Sequence, residues 1–183
     1  SAFGSNALLL CLTGHSNCAF GHDVMEATTT ATENTAMGFE SMKSNTSGVA
    51  NTAYGSGALR AVTTGETCTA VGRNALYDLS TSDDATAVGS SAGENAVGQG
   101  NTFVGFIAGK GATSGCNGEF NTAIGINCMK NMTSASSNTT MGKDAGSDLT
   151  TGTNNLFLGL GAGTSSAPNG VHQSDSNRIV LGN

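Results

Sequence analysis

A short apolar motif ending in glycine returns along almost the whole chain, at intervals that admit very few folds. It reads Ala2-Phe3-Gly4, Ala19-Phe20-Gly21, Ala36-Met37-Gly38, Ala53-Tyr54-Gly55, Ala70-Val71-Gly72 and Ala87-Val88-Gly89. It continues as Phe103-Val104-Gly105, Ala123-Ile124-Gly125, Thr140-Met141-Gly142, Phe157-Leu158-Gly159 and Val180-Leu181-Gly182. Successive glycines lie 17, 17, 17, 17, 17, 16, 20, 17, 17 and 23 residues apart. Self-similarity at a fixed short period is the mark of a repeat architecture, in which each unit buries its apolar residues by stacking on its neighbours.

The chemistry of each position turns the period into a shape. Before the glycine stands a large apolar residue, before that usually alanine, and before that a β-branched threonine (Thr35, Thr52, Thr69, Thr86, Thr102, Thr122, Thr139). Asparagine opens most units, at Asn17, Asn34, Asn51, Asn101, Asn121, Asn138 and Asn155. A turn-former, a β-branched run and a closing glycine read as a short strand. Downstream, Ala58-Leu59, Ala75-Leu76, Ala92-Gly93, Ala108-Gly109, Cys128-Met129, Ala145-Gly146 and Ala162-Gly163 mark a second short strand or a bend. Seventeen residues are too few for a β-α-β unit, so the chain is expected to coil as an all-β solenoid of about eleven coils, one domain over 1–183. Coils stacked about 4.8 Å apart place each asparagine over the next, where amides can bond along the stack. The glycines at 4, 21, 38, 55, 72, 89, 105, 125, 142, 159 and 182 supply the positive φ of a corner.

Alternation along the strand puts the threonine and the large apolar residue on one face and alanine on the other. Neither face carries charge, so both are expected to be buried. The large residues are expected to fill the coil interior and the small face to meet sister chains, with the reverse assignment as the alternative. Either way the coil is too thin to bury both faces alone, and a homo-oligomer is implied.

Composition narrows the function. Only 11% of residues are charged, with a formal charge of −6 and no basic stripe, which argues against binding nucleic acid. The longest apolar stretch, residues 7–12, is too short to cross a bilayer, and no export signal precedes it. Cys11, Cys18, Cys68, Cys116 and Cys128 form an odd set without metal-ligand spacing and read as free thiols, mostly buried in the layers.

The Asn-Thr-Ala-Φ-Gly pattern, in which Φ is a large apolar residue, with its Ala-Leu or Ala-Gly sequel, resembles the repeats of tail fibres and spikes of bacteriophages and large algal viruses. The segment 176–183 is similar to sequences that lead toward an endosialidase-type intramolecular chaperone in such fibres. A related likeness is to the heads of trimeric autotransporter adhesins, built from coils whose strand also ends in Ala-Φ-Gly. These resemblances imply a parallel homotrimer with a left-handed roll. They also imply a role as structural rod or receptor-binding segment in host attachment, located in a virion or, alternatively, on a bacterial surface. An ice-binding solenoid is a minor alternative, prompted by the regular threonines.

Candidate chemistry is sparse, and no enzymatic activity, cofactor or metal is expected. Asp83-Asp84 is the one adjacent carboxylate pair and falls in a connector, while His15, His22 and His172 are scattered without ligand spacing. Sequons occur at Asn45, Asn131 and Asn138, the last opening a repeat strand. Insertions carry more information, because solenoids display extra residues as loops, often on a binding face. The long spacings add residues around 111–120 and 164–175, and the second holds Pro168, Asn169 and His172, a candidate loop for contact with a host receptor or glycan.

Overall fold

The computed structural model describes residues 1–112, 115–166 and 174–182. The chain is an all-β solenoid whose eleven strands form one parallel sheet in sequence order. The strands are β1 (Ala2–Phe3), β2 (Cys18–Phe20), β3 (Thr35–Met37), β4 (Thr52–Tyr54), β5 (Thr69–Val71) and β6 (Thr86–Val88). They continue as β7 (Thr102–Val104), β8 (Thr122–Ile124), β9 (Thr139–Met141), β10 (Leu156–Leu158) and β11 (Ile179–Leu181). Each pairs with its own copy one coil away, as in Thr52↔Thr69, Ala53↔Ala70 and Tyr54↔Val71. The register is the sequence repeat itself, and no helix occurs among the described residues.

The motif glycine turns the corner. Gly55 has φ +135° and Gly72 +132°, and a Cβ on Gly55 would lie 2.5 Å from the carbonyl oxygen of Gly72 in the next coil. No side chain fits beneath that stacked backbone.

The second motif forms a turn and not a second strand. Its residues reverse the sign of φ repeatedly, with Leu59 at +49°, Leu76 at +50° and Met129 at +48°. Left-handed backbone costs a non-glycine residue about 1–2 kcal/mol, and here full burial of the same side chains offsets it. The alternation lets N–H groups bond to the coils on both sides: Glu40 N–H donates to the carbonyl of His22, while Met42 and Ser44 donate to Ala58 and Arg60.

The face assignment is the reverse of the first expectation. Ala19, Ala36, Ala53, Ala70, Ala87 and Ala123 point inward and are buried, while the large apolar residues beside them point out. The interior is filled from the turn side, by Met25, Met42, Leu59, Leu76 and Met129, with Val62, Leu79, Met132 and Leu149 behind them. Those side chains already span the thin coil, so only a methyl group fits opposite.

Two coils invert this arrangement. Phe103 and Phe157 replace the inward alanine and are fully buried, and glycine then replaces leucine or methionine in the turn. A Cβ on Gly109 would lie 2.2 Å from the Phe103 ring, and one on Gly93, a coil earlier, 2.8 Å. Phe157 sits likewise against Gly163 and Gly146. One ring serves two glycines, so volume is conserved between coils and not within one.

The asparagines form the expected ladder. Asn121 Oδ1 accepts from the backbone N–H and the Nδ2 of Asn138, and Asn121 Nδ2 donates to Asn101 Oδ1 and to the carbonyl of Ala135. The bond from backbone N–H to Oδ1 recurs from Asn17 through Asn34 to Asn51 and from Asn138 to Asn155. All of these asparagines are buried. Cys68 and Ala85 interrupt the ladder in the fifth and sixth coils.

Candidate functional site

The outward face of the sheet is the feature that needs an explanation. Four rows of side chains run along it parallel to the solenoid axis. First comes a corner row, the left-handed residues two places before each strand: Ser16, Glu33, Ala50, Thr67, Asp84, Phe120, Ser137, Asn154 and Asn177, with φ between +56° and +61°. Next is the threonine row, half-buried from Thr35 to Thr122 and exposed at Thr139, joined by Cys18, Leu156 and Ile179. Beside it runs the large-apolar row: Phe3, Phe20, Met37, Tyr54, Val71, Val88, Met141 and Leu181 are all exposed, Phe3 at 69% and Leu181 at 70%. Last is a post-glycine row, with Phe39, Phe106, Ile126 and Leu160 about half exposed.

These rows form one continuous surface. The rings of Phe3 and Phe20 stack at 4.9 Å, and His22 stacks on Phe39 at 5.6 Å, each pair joining consecutive coils. Corner and strand rows share a groove of about 350 Å³, lined by Ser137, Asn154 and Asn177 on one wall and Thr139, Leu156 and Ile179 on the other, with Arg178 at its end. The result is an apolar ribbon along the whole sheet, bordered by polar corners.

Charge is organised along the axis as well, in a way that the sequence shows only when the period is applied to it. Glu26, Lys43 and Arg60 are one coil apart and Asp23 and Glu40 likewise. Lys43 Nζ lies 3.0 Å from Asp23, 2.9 Å from Glu40 and 3.4 Å from Glu26, and Arg60 Nε lies 2.8 Å from Glu40. Hydrogen bonds from Asn6 and Lys43 hold the Asp23 carboxyl below its ordinary range, and those from Arg60 and Lys43 do the same for Glu40. Glu40 and Asp23 in turn raise the Lys43 ammonium. Arg60 also sits over the Tyr77 ring, 5.5 Å from its centroid. This ladder braces successive coils along the turn side.

The other candidates from the sequence find structural places. Asp83 accepts from the backbone N–H of Glu66, and Asp84 accepts from the Thr67 hydroxyl, so the pair braces one corner against the previous one. His15 and His22 are exposed and lie on different rows. No group of three or more potential metal ligands gathers among the described residues. None of the five cysteines forms a disulfide. Cys68, Cys116 and Cys128 are buried as expected, Cys11 is half-buried, and Cys18 departs from the expectation by standing exposed on the ribbon. Burial pushes the Cys68 thiol up to about 11 and raises that of Cys128. Of the sequons, Asn45 and Asn138 are buried in the layers and Asn131 is half-buried. Pro168, Asn169 and His172 lie outside the described residues. Of the shorter insertion, Gly111 and Cys116 pack in the wall while Ala112 and Gly115 are exposed.

No protein-family model, curated protein or solved structure matches this chain. The functional reading therefore rests on the outward face.

Proposed function

We propose that this chain is a rod segment of a homotrimeric fibre or spike, of the kind viruses use to attach to a host, with its ribbon turned toward two sister chains. The single observation that carries the reading is an apolar surface left uncovered over all eleven strands. The strand face is three residues wide, about 10 Å, and ten inter-strand steps make it about 50 Å long, roughly 500 Å², widened along one edge by Phe39, Phe106, Ile126 and Leu160. One partner in a standard protein interface buries about 800 Å², which this strip reaches together with its polar borders. An apolar strip of this area is at the upper end of the patch a single soluble chain leaves wet, and patches of this size mark association sites. Three is the stoichiometry that the likeness to viral fibres and adhesin heads implies.

No catalytic constellation competes with this reading on the described surface. The half-buried threonines share their face with large apolar neighbours, which favours protein packing over an ordered hydroxyl array. Sedimentation equilibrium or native mass measurement of the purified chain tests the proposal. A trimer is expected; a particle that stays monomeric at micromolar concentration refutes it.

A further inference from the structure

Three departures from the repeat meet at one place on the polar border of the ribbon. The corner row carries its only amides at Asn154 and Asn177, and the threonine row its only large apolar residues at Leu156 and Ile179. The asparagine ladder carries its only charged residue at Arg178. The other coils serve as internal controls, because the same left-handed corner is built from Ser16, Glu33, Ala50 or Thr67 elsewhere, so the backbone does not demand an amide. A chain that breaks its own local rules at several neighbouring positions at once points to a function other than packing.

These residues line one groove. Its volume of about 350 Å³ falls in the range of small-molecule sites, about 300–1,000 Å³. No residue of the large-apolar row lines it, so a ligand there leaves the apolar rows free to pack.

The polar wall has hydrogen-bonding capacity to spare. Asn154 Nδ2 donates to Asn177 Oδ1 at 2.7 Å, which leaves Asn154 Oδ1 and Asn177 Nδ2 without a partner among the described residues. The Ser137 and Thr139 hydroxyls have none there either. Arg178 continues the ladder by donating its backbone N–H to Asn155 Oδ1, but a guanidinium does not fit a buried stack of carboxamides. Its side chain stands exposed at the end of the groove, 3.6 Å from Asp175, too far for a hydrogen bond, so its N–H groups are available to a ligand.

An amide acceptor and an amide donor held side by side suit neighbouring hydroxyls, each of which both gives and takes a hydrogen bond. An apolar wall opposite suits the C–H face of a sugar ring. The lining holds no carboxylate, and its one cation has a counter-charge nearby, which favours a neutral ligand over a polyanion. Resting on the attachment role proposed above, we propose that this groove binds a neutral saccharide. Asn154, Asn177 and Arg178 hold its hydroxyls, and Leu156 and Ile179 pack against its ring. Every one of these residues comes from a single chain, so binding does not require the trimer.

A printed array of neutral hexose and N-acetylhexosamine oligosaccharides, with heparin as the polyanionic comparison, tests this, and the strongest neutral ligand is then titrated calorimetrically. Asn177→Ala and Arg178→Ala are each expected to weaken binding by about tenfold or more, the equivalent of one or two hydrogen bonds. Leu156→Thr, which restores the residue of the repeat, is expected to weaken it as well. Glu33→Gln, in the same corner row beside β3, is expected to change nothing. Far-UV circular dichroism checks that each variant is folded. No neutral saccharide bound, binding to heparin alone, or an affinity that survives the Asn177 and Arg178 replacements or falls with Glu33→Gln overturns the site. A monomeric chain that binds through these residues sinks the oligomeric reading and leaves the site standing, and a trimer that binds nothing does the reverse.

Discussion

Interior volume is conserved between Phe103 and the two glycines beneath it, and that trade can be measured. Phe103 is fully buried, and its ring occupies the space of side chains at both Gly109 and Gly93. Phe103→Ala therefore opens a cavity and is expected to cost about 3–5 kcal/mol. Gly109→Leu in the native background forces a Cβ to within 2.2 Å of the ring, and overpacking of this kind costs about 1–3 kcal/mol or more. Together the two changes recreate the Ala53/Leu59 and Ala70/Leu76 pairs of the fourth and fifth coils, where leucine already holds the same left-handed backbone. Counting side-chain carbons, alanine plus leucine falls short of phenylalanine by about two, because the space over Gly93 stays empty, and at ~0.8 kcal/mol per methylene the residual loss is about 1–2 kcal/mol. Guanidinium unfolding followed by circular dichroism, at one fixed chain concentration, reads all three variants. A double variant no more stable than Phe103→Ala would refute the idea that coils exchange volume across layers.

Further predictions concern the polar interior. Asn121→Ala leaves the Asn138 N–H and the Ala135 carbonyl without their side-chain partners in a buried layer, and a loss of about 3–5 kcal/mol is expected by denaturant titration. Thr28→Val is expected to stabilise by about 1 kcal/mol in the same assay, because the Thr28 hydroxyl is buried without a partner at a position that is Val62 and Leu79 in later coils. Folding depresses the carboxyl groups of Asp23 and Glu40, so their contribution is fully present above the unfolded carboxylate range near pH 4 and is lost as pH falls through the lower folded values. Unfolding midpoints compared at pH 6 and pH 3 are expected to drop at the lower pH, and by less in Lys43→Met, which lacks the shared cation.

The stacking direction, strand register and asparagine ladder were legible because each is a statement about one residue seventeen places from the next. Thr52↔Thr69 pairing needs only the period, and so does the bond between Asn121 and Asn138. What the sequence hid was which strand face points inward. Alternation ties Tyr54 and Thr52 to one side and Ala53 to the other, but it is silent on which side faces the coil, and size misleads there. The deciding residues are Leu59 and Met42, which lie outside the strand and fill the thin interior from the turn, leaving room only for a methyl group. Their left-handed backbone was also hidden, since leucine and methionine rarely adopt it. The Lys43–Glu40–Arg60 ladder was readable in principle, once the period used for apolar residues is applied to charges.

The gap in the asparagine spine has a mechanical meaning. Where Cys68 and Ala85 stand, the amide of Ala85 reaches only a thiol, and Asn101 faces a methyl group in place of a carboxamide. Tension applied to the tip passes rung to rung through bonds aligned with the long axis, and here fewer of them share the load. Stretched from its ends, such a column would yield first between β5 and β7, well before its two better-laced halves give way.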